Sequence, residues 1–254
     1  MKELFGVEGR VILITGASRG IGFAMAEALA EYGAHVILNS RDETALREKV
    51  RALTERGLKA SYQVFDVTDS EAGKNAIQTI LGEFGSFYGL VNNAGIQFRS
   101  PILDFSDEDF DLVIRTNLTS CFSLSREAIR LMQGNGGGRI VNTVSMLGPQ
   151  ARPTVPAYIA AKEGLRALTR ALAVEVGASG ILVNAIAPGY IATELNTALL
   201  ENQEFSDWVI SKTPLGRWGQ PHELGGAAVF LMSEAGSFVN GQILSIDGGM
   251  SIQV

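Results

Sequence analysis

The 254 residues read as an α/β chain built on one doubly wound parallel sheet of about seven strands, with helices on both faces. Three features carry that expectation. Short apolar runs of strand length alternate with stretches of helical period. The first run, Val11-Ile12-Leu13-Ile14-Thr15, is apolar without alternation, as in a strand covered on both sides. A glycine-rich turn then joins it to a helical pattern over residues 21–32. Length and 46% hydrophobic content suit one substantial core, so residues 1–254 are taken as a single domain.

The remaining strands are expected at 35–39, 60–65, 89–92, 139–145, 181–186 and 242–246. After the second, Asp42 reads as a helix N-cap, Leu46, Val50 and Leu53 form an apolar stripe, and Gly57 is a natural stop. Residues 106–132 are helical but interrupted near Asn117, because Asn117-Leu118-Thr119-Ser120 weakens helix propensity. Gly134-Asn135-Gly136-Gly137-Gly138 makes a turn, and Pro149, Pro153 and Pro156 keep the next connection non-helical until Ala157. Leu165, Leu168, Leu172 and Val176 then repeat at intervals of three and four, and Gly177 is expected to end that helix. Residues 188–212 stand outside the alternation directly after a strand end, where ligands bind in such sheets. They are a candidate substrate lid in which Leu195, Leu199 and Phe205 cover the substrate.

Composition narrows the function classes. A net charge of −6 with no block of Lys and Arg argues against a nucleic-acid partner, so an anionic substrate would need a local basic pocket. The single cysteine, Cys121, excludes an intramolecular disulfide and reads as core filler on a helix. Two histidines, His35 and His222, are too few for a multi-histidine metal site, and no metal is expected. The N-terminal residues lack the apolar run of a secretion signal, and no stretch reaches the roughly 18–20 apolar residues of a membrane span. A cytoplasmic protein without a membrane partner is expected.

Thr15-Gly16-Ala17-Ser18-Arg19-Gly20-Ile21-Gly22 lies between the first strand and the first helix, the context that gives a glycine pattern meaning. Gly16 can turn tightly, Gly20 lets backbone approach a pyrophosphate, and Gly22 permits close packing, as in a Rossmann-type dinucleotide site. The helix N-terminus at Ile21 adds amides and a positive dipole end. An NAD-selective site usually puts an acid at the end of the second strand, but here that strand ends Asn39-Ser40-Arg41. Arg19 and Arg41 could clasp a 2′-phosphate, with Ser40 donating a further bond, so NADP(H) is expected over NAD(H).

Tyr158 and Lys162 are four residues apart and share one helical face, with Ser145 upstream. A phenol of pKa about 10 is a weak acid–base catalyst near neutrality, and a neighbouring ammonium would stabilise its phenolate. Tyr158 thereby becomes a proton donor and acceptor for oxidoreductase chemistry. A serine hydrolase with His222 as base is disfavoured, because Thr143 and Leu147 occupy the glycine positions of the strained elbow that Ser145 would need. A non-catalytic NADP(H) sensor or scaffold remains the other class.

With loop, Ser145, Tyr158 and Lys162 together, the chain resembles the short-chain dehydrogenase/reductase family over nearly its whole length. Asp66-Val67 resembles that family's adenine contact and Asn92-Asn93-Ala94-Gly95 its central-strand motif. Pro188-Gly189, followed by Ile191 and Thr193, is similar to its nicotinamide-side turn. The resemblance implies that Ser145 holds the substrate carbonyl, Tyr158 protonates the alkoxide, Lys162 lowers the tyrosine pKa and binds ribose, and Asn117 serves a water-mediated proton relay. It also implies a homotetramer joined through residues 107–132, 157–176 and the C-terminal region.

Within the family, Gly95-Ile96-Gln97, Ala187-Pro188-Gly189-Tyr190, Arg217-Trp218-Gly219 and Phe238-Val239-Asn240-Gly241-Gln242 look similar to gluconate 5-dehydrogenases, also called 5-keto-gluconate reductases. That resemblance implies a sugar-acid substrate whose carboxylate needs a pocket cation. Arg99 and Arg152 are the candidates, the alternative for each being a solvated or interface arginine. Met146-Leu147-Gly148-Pro149-Gln150 is more apolar than that subgroup implies, and Glu163 stands where a small residue is usual. A 3-oxoacyl thioester or another keto compound is therefore the alternative substrate.

Overall fold

The computed structural model describes residues 2–253. Seven parallel strands form one sheet in the order β3-β2-β1-β4-β5-β6-β7. They are β1 (Val11–Ile14), β2 (His35–Ser40), β3 (Ala60–Val64), β4 (Gly89–Asn92), β5 (Gly138–Thr143), β6 (Ile181–Pro188) and β7 (Ile243–Ile246). The helices are α1 (Lys2–Phe5), α2 (Gly20–Glu31), α3 (Glu43–Thr54), α4 (Ser70–Phe84), α5 (Asp107–Ile114), α6 (Ser120–Met132), α7 (Pro156–Val176), α8 (Thr197–Leu200), α9 (Gln203–Lys212) and α10 (Gly225–Met232). The order of strands reverses between β1 and β4, which opens the ligand crevice of a doubly wound sheet at their carboxyl ends.

Side chains on β1 alternate between two cores, as the strand period requires. Ile12 and Ile14 join Leu29 of α2, Leu46 and Leu53 of α3 and Val229 of α10 on one face. Val11 and Leu13 join Ile77 of α4, Leu124 of α6 and Val176 of α7 on the other. Residues buried on both faces explain why the first run lacks polar alternation. Each fully buried aliphatic side chain contributes about 1.5–3 kcal/mol, which fixes the frame that carries the strand-end loops.

Several boundaries differ by one or two residues from the sequence expectation, most of all where β5 meets β6. β5 stops at Thr143 rather than at Ser145. Val144 N and Met146 N instead donate to Ile186 O and Pro188 O, at 2.8 and 3.1 Å, so the chain follows β6 beyond the regular ladder. β6 accordingly runs two residues further than expected, to Pro188. α7 ends at Val176 with Gly177 as its C-cap, as expected; Gly177 keeps a right-handed φ of −57° and opens a 3₁₀ turn, and Gly180 at φ +74° makes the reversal. Asp42 caps α3 as expected, accepting from Ala45 N at 3.0 Å, and Gly57 follows that helix at φ +77°. The interruption near Asn117 is a π-helical turn over Arg115–Thr119 between α5 and α6. Cys121 is buried on α6. Among the described residues, no helix is long and apolar enough to cross a membrane.

Candidate active site

The ends of β1 and β4 are laced together by side chains. Thr15 Oγ1 accepts from Asn93 N and Ala94 N at 3.0 and 3.1 Å, and Asn93 Nδ2 donates to Thr15 O and Gly16 O at 3.0 and 3.1 Å. Gly16, at φ +62°, lies so close to the β4 loop that a Cβ there would be 2.8 Å from Ala94 Cα. A Cβ on Gly22 would overlap Gly16 O and Asn93 Nδ2. These two glycines are therefore demanded by the packing.

Gly20, at φ +56°, instead faces open space, its nearest neighbour being Thr193 Cγ2 at 3.6 Å from an added Cβ. Arg19 is extended at the head of α2 and makes no side-chain cap. The first amides of α2 are thus uncapped beside a cradle that a Cβ would crowd, which is the chemistry a pyrophosphate needs. The residues present fit a dinucleotide.

Of the residues expected around a 2′-phosphate, Arg41 pairs with Asp66 at 3.4 Å and Arg19 with Glu194 at 3.3 Å. Arg19, Arg41 and Glu194 are well exposed and Asp66 partly so; such pairs are worth about 0–1 kcal/mol, so both cations can change partner. Ser40 Oγ sits 3.1 Å from Asp42 N, while the Asp42 carboxylate is committed to its helix cap. Partial burial pushes Asp66 up, but bonds from the Thr68 amide and hydroxyl, both at 2.8 Å, and the Arg41 charge outweigh it and leave the carboxyl below its usual range.

The catalytic candidates meet at the carboxyl ends of β4 and β5. Ser145 is buried just past β5, and its Oγ accepts from Leu147 N at 3.0 Å. Tyr158 and Lys162 share the inner face of α7, where Lys162 Nζ lies 5.6 Å from the phenol ring centre. The ammonium does not turn to the hydroxyl; it donates to Thr143 O at 2.6 Å. Burial pushes the phenol above its usual value, and the opposing groups are the Ser145 hydroxyl and the Arg99 guanidinium. Burial also pulls Lys162 down, from 10.5 to about 8.

Asn117 reaches the same point from the π-helical turn. Its side chain is spent on the loop after β4, with Oδ1 accepting from Ile96 N at 2.9 Å and Nδ2 donating to Ile96 O at 2.8 Å. A Cβ on Gly95 would lie 3.2 Å from Asn117 Oδ1 and 3.7 Å from Lys162 Nζ, so Gly95 is the spacer between them.

A cavity of about 500 Å³ opens beside Ser145. Met146 and Leu147 line one side, and Tyr190, Phe205 and Trp208 from residues 188–212 line the other. Arg152 spans them: its guanidinium donates to Tyr190 OH at 3.1 Å and stands 4.3 Å over the Phe205 ring. Arg99 donates to Gln97 Oε1 at 3.1 Å. Desolvation and then the like charge of Arg152 pull the Arg99 guanidinium below its usual value, opposed by Tyr190 and Tyr158. The two guanidiniums are therefore near each other, and Arg99 is also near Tyr158. Leu199 is half-buried and does not line this cavity; the Leu195 side chain lies outside the described residues.

Residues 16–251 match the family described as Enoyl-(Acyl carrier protein) reductase. The chain is also 44% identical over 252 residues to a gluconate 5-dehydrogenase of Gluconobacter oxydans (strain 621H), covering 99% of this chain and 98% of that one. The chain belongs to the short-chain dehydrogenase/reductase family. A 5-keto-D-gluconate 5-reductase of Escherichia coli (strain K12) is 42% identical over 100% of both chains. The solved structure of a gluconate 5-dehydrogenase from Burkholderia cenocepacia J2315 in complex with NADP and tartrate is 42% identical, with a TM-score of 0.96 over 100% of this chain and 99% of that one. As a short-chain dehydrogenase/reductase, the protein is an oxidoreductase acting on CH–OH groups.

In this short-chain dehydrogenase/reductase the sequence motifs found the loop, the β4 turn and the α7 pair, but missed much of the cavity wall. Lys212, Gln150, Met250 and Gln253 also line it. Gln150 Nε2 donates to Ser251 O at 3.0 Å and so ties the C-terminal segment to the Ser145 loop. Tyr190 could have been found from its place directly after Pro188-Gly189. The C-terminal residues carry no pattern that marks them.

Proposed function

We propose that this chain transfers hydride between NADP(H) and the secondary alcohol or ketone of a sugar acid, D-gluconate and 5-keto-D-gluconate being the first pair to test. The observation that carries the reading is a pair of neighbouring guanidiniums, Arg152 in the wall of the cavity beside Ser145 and Arg99 close enough to feel the charge of Arg152, Tyr190 and Tyr158. The names of the relatives, and the NADP bound by the Burkholderia protein, support it. A sugar-acid carboxylate matches two guanidiniums that have no carboxylate partner among the described residues, whereas a 3-oxoacyl thioester brings no such charge near its ketone. Residues 188–212 act as the lid, through Tyr190, Phe205 and Trp208.

The nicotinamide, when bound, supplies or accepts the hydride. Ser145 donates a hydrogen bond to the carbonyl oxygen, and Tyr158 gives that oxygen its proton. Lys162 contributes its charge at Thr143 and the ribose side, and Asn117 holds the β4 loop from which a relay to solvent can start. The exposed Phe110, Phe122 and Val174 on α5, α6 and α7, with Phe238 and Ile252 nearer the C-terminus, support assembly as a homotetramer.

Following NADPH absorbance with 5-keto-D-gluconate, an acetoacetyl thioester and a simple diketone in parallel tests the substrate reading. Turnover should be fastest with the sugar acid, and a lower KM for NADPH than for NADH is expected. Preference for the thioester, or equal Michaelis constants for the two cofactors, contradicts the corresponding part.

The pH profile follows from Lys162. Its folded-state pKa of about 8 means that the ammonium loses its proton above that pH while the raised Tyr158 phenol keeps its own. Reduction, measured as kcat/KM, should therefore decline as pH rises above about 8. Stability moves the other way. The unfolded lysine holds its proton more tightly than the folded one, so the burial penalty is present below about 8 and is relieved between about 8 and 10.5. A decline in rate without loss of thermal stability is the expected signature, and a rate flat to pH 10 would refute it.

A further inference from the structure

Helix α7 has a second job besides carrying Tyr158 and Lys162. Glu163 and Arg166 stand one turn apart on it, and Arg166 Nε lies 3.0 Å from Glu163 Oε1. That oxygen is buried and receives no hydrogen bond, because the N–H is not aimed at it; the attraction is Coulombic. Arg166, largely buried, turns a different nitrogen outward, and its Nη1 reaches Ser145 O at 3.4 Å. The Glu163 carboxylate meanwhile packs under the loop that follows Ser145, so closely that a Cβ on Gly148 would overlap it. Gly148 keeps an ordinary negative φ, so its lack of a side chain is needed for this contact and not for backbone conformation.

We propose that Glu163 and Arg166 form a clamp that positions Ser145 relative to Tyr158. One end of the clamp holds the Ser145 carbonyl through Arg166, and the other supports Gly148 on the Glu163 carboxylate. Between these two points run Met146 and Leu147, which line the cavity, and Leu147 N, which occupies a lone pair of Ser145 Oγ. That bond leaves the Ser145 proton free to donate toward the substrate oxygen. The helix that aims the phenol therefore also fixes the hydroxyl working beside it, and one rigid element sets the geometry of both groups. It also accounts for a charged residue at position 163, next to a catalytic lysine, where the family resemblance implies a small one. Glu163 and Arg166 touch neither substrate nor cofactor and are positioning residues.

The effect on rate rests on Ser145 holding the carbonyl, as proposed above; the effect on the loop does not. In Glu163→Ala and Arg166→Met, kcat and kcat/KM should fall together by about tenfold or more, since misplacing a reacting group by about 1 Å can cost a hundredfold. The dissociation constant for NADPH should stay within about twofold of the parent. Gly148→Ala should slow the parent similarly but cost little in the Glu163→Ala background, where the carboxylate it overlaps is gone. Arg166→Lys should recover part of the lost rate, since an amine can still reach Ser145 O.

Amide hydrogen exchange over residues 144–150, read by mass spectrometry without substrate, should accelerate in Glu163→Ala and Arg166→Met. Unchanged exchange in both variants, or a kcat within about twofold of the parent in both while Ser145→Ala is inactive, overturns the clamp. Full turnover in Ser145→Ala would instead contradict the assigned role of the serine, and the exchange measurement would still decide the clamp.

Discussion

Replacing Tyr158 with phenylalanine is expected to lower kcat by about 10²- to 10⁴-fold, the range a positioned acid–base group contributes. The ring stays in its buried seat, so the change removes one hydroxyl and little packing. Lys162 keeps its bond to Thr143 O, which does not involve the phenol, and the phosphate loop is laced by Thr15 and Asn93 at the other side of the crevice. NADPH affinity, followed by quenching or transfer of protein fluorescence, should therefore remain near that of the parent. The loss should fall on kcat and kcat/KM alike, because the hydroxyl acts in the transition state. A Tyr158→Phe enzyme that turns over at a tenth of the parental rate or better would remove the phenol from the mechanism. The stability change should be small, because the substitution removes one hydroxyl and leaves the ring's packing in place.

What could be read in advance follows from how local each signal is. The strands were legible because residues such as Ile12, Leu13 and Ile14 are buried on both faces and must all be apolar. The Asp42 cap and the glycines of the phosphate loop were legible because a cap or a close approach constrains one residue type at one position. The β5 end was not, because it depends on Val144 and Met146 continuing along β6, a partner more than forty residues away.

The pairing of Tyr158 with Lys162 on one helical face follows from spacing, but the direction of the ammonium is decided by Thr143 O on a different element. The lysine consequently takes its shifted pKa from burial, and the phenol answers to Ser145 and Arg99. The cavity wall shows the same limit. Trp208 stands in no motif of the sequence, whereas the fold gathers it and Trp218 around Tyr190, at ring separations of 6.0 and 5.5 Å. Lys212 and Met250 reach that cavity from segments separated by α10 and β7.

The two arginines make a prediction in which charge and packing separate. Removing a charged partner from a carboxylate costs about 1.5–3 kcal/mol, so Arg99→Met should raise KM for a sugar acid by about 10- to 100-fold. For an uncharged ketone the same variant should behave like the parent, because Arg99 bonds only to Gln97 among the described residues and does not build the cavity wall. Arg152→Met should differ in kind. Its guanidinium also holds Tyr190 OH and lies over Phe205, which belong to the proposed lid, so its loss should weaken acidic and neutral substrates together, and the acidic ones more. The ratio of kcat/KM for a sugar acid to that for a neutral ketone reads the charge effect alone. It should drop in both variants, and the absolute rate with the neutral ketone should drop only in Arg152→Met. An unchanged ratio in Arg99→Met would show that the carboxylate is not held there, and an unchanged ratio in both would remove sugar acids as the substrate class.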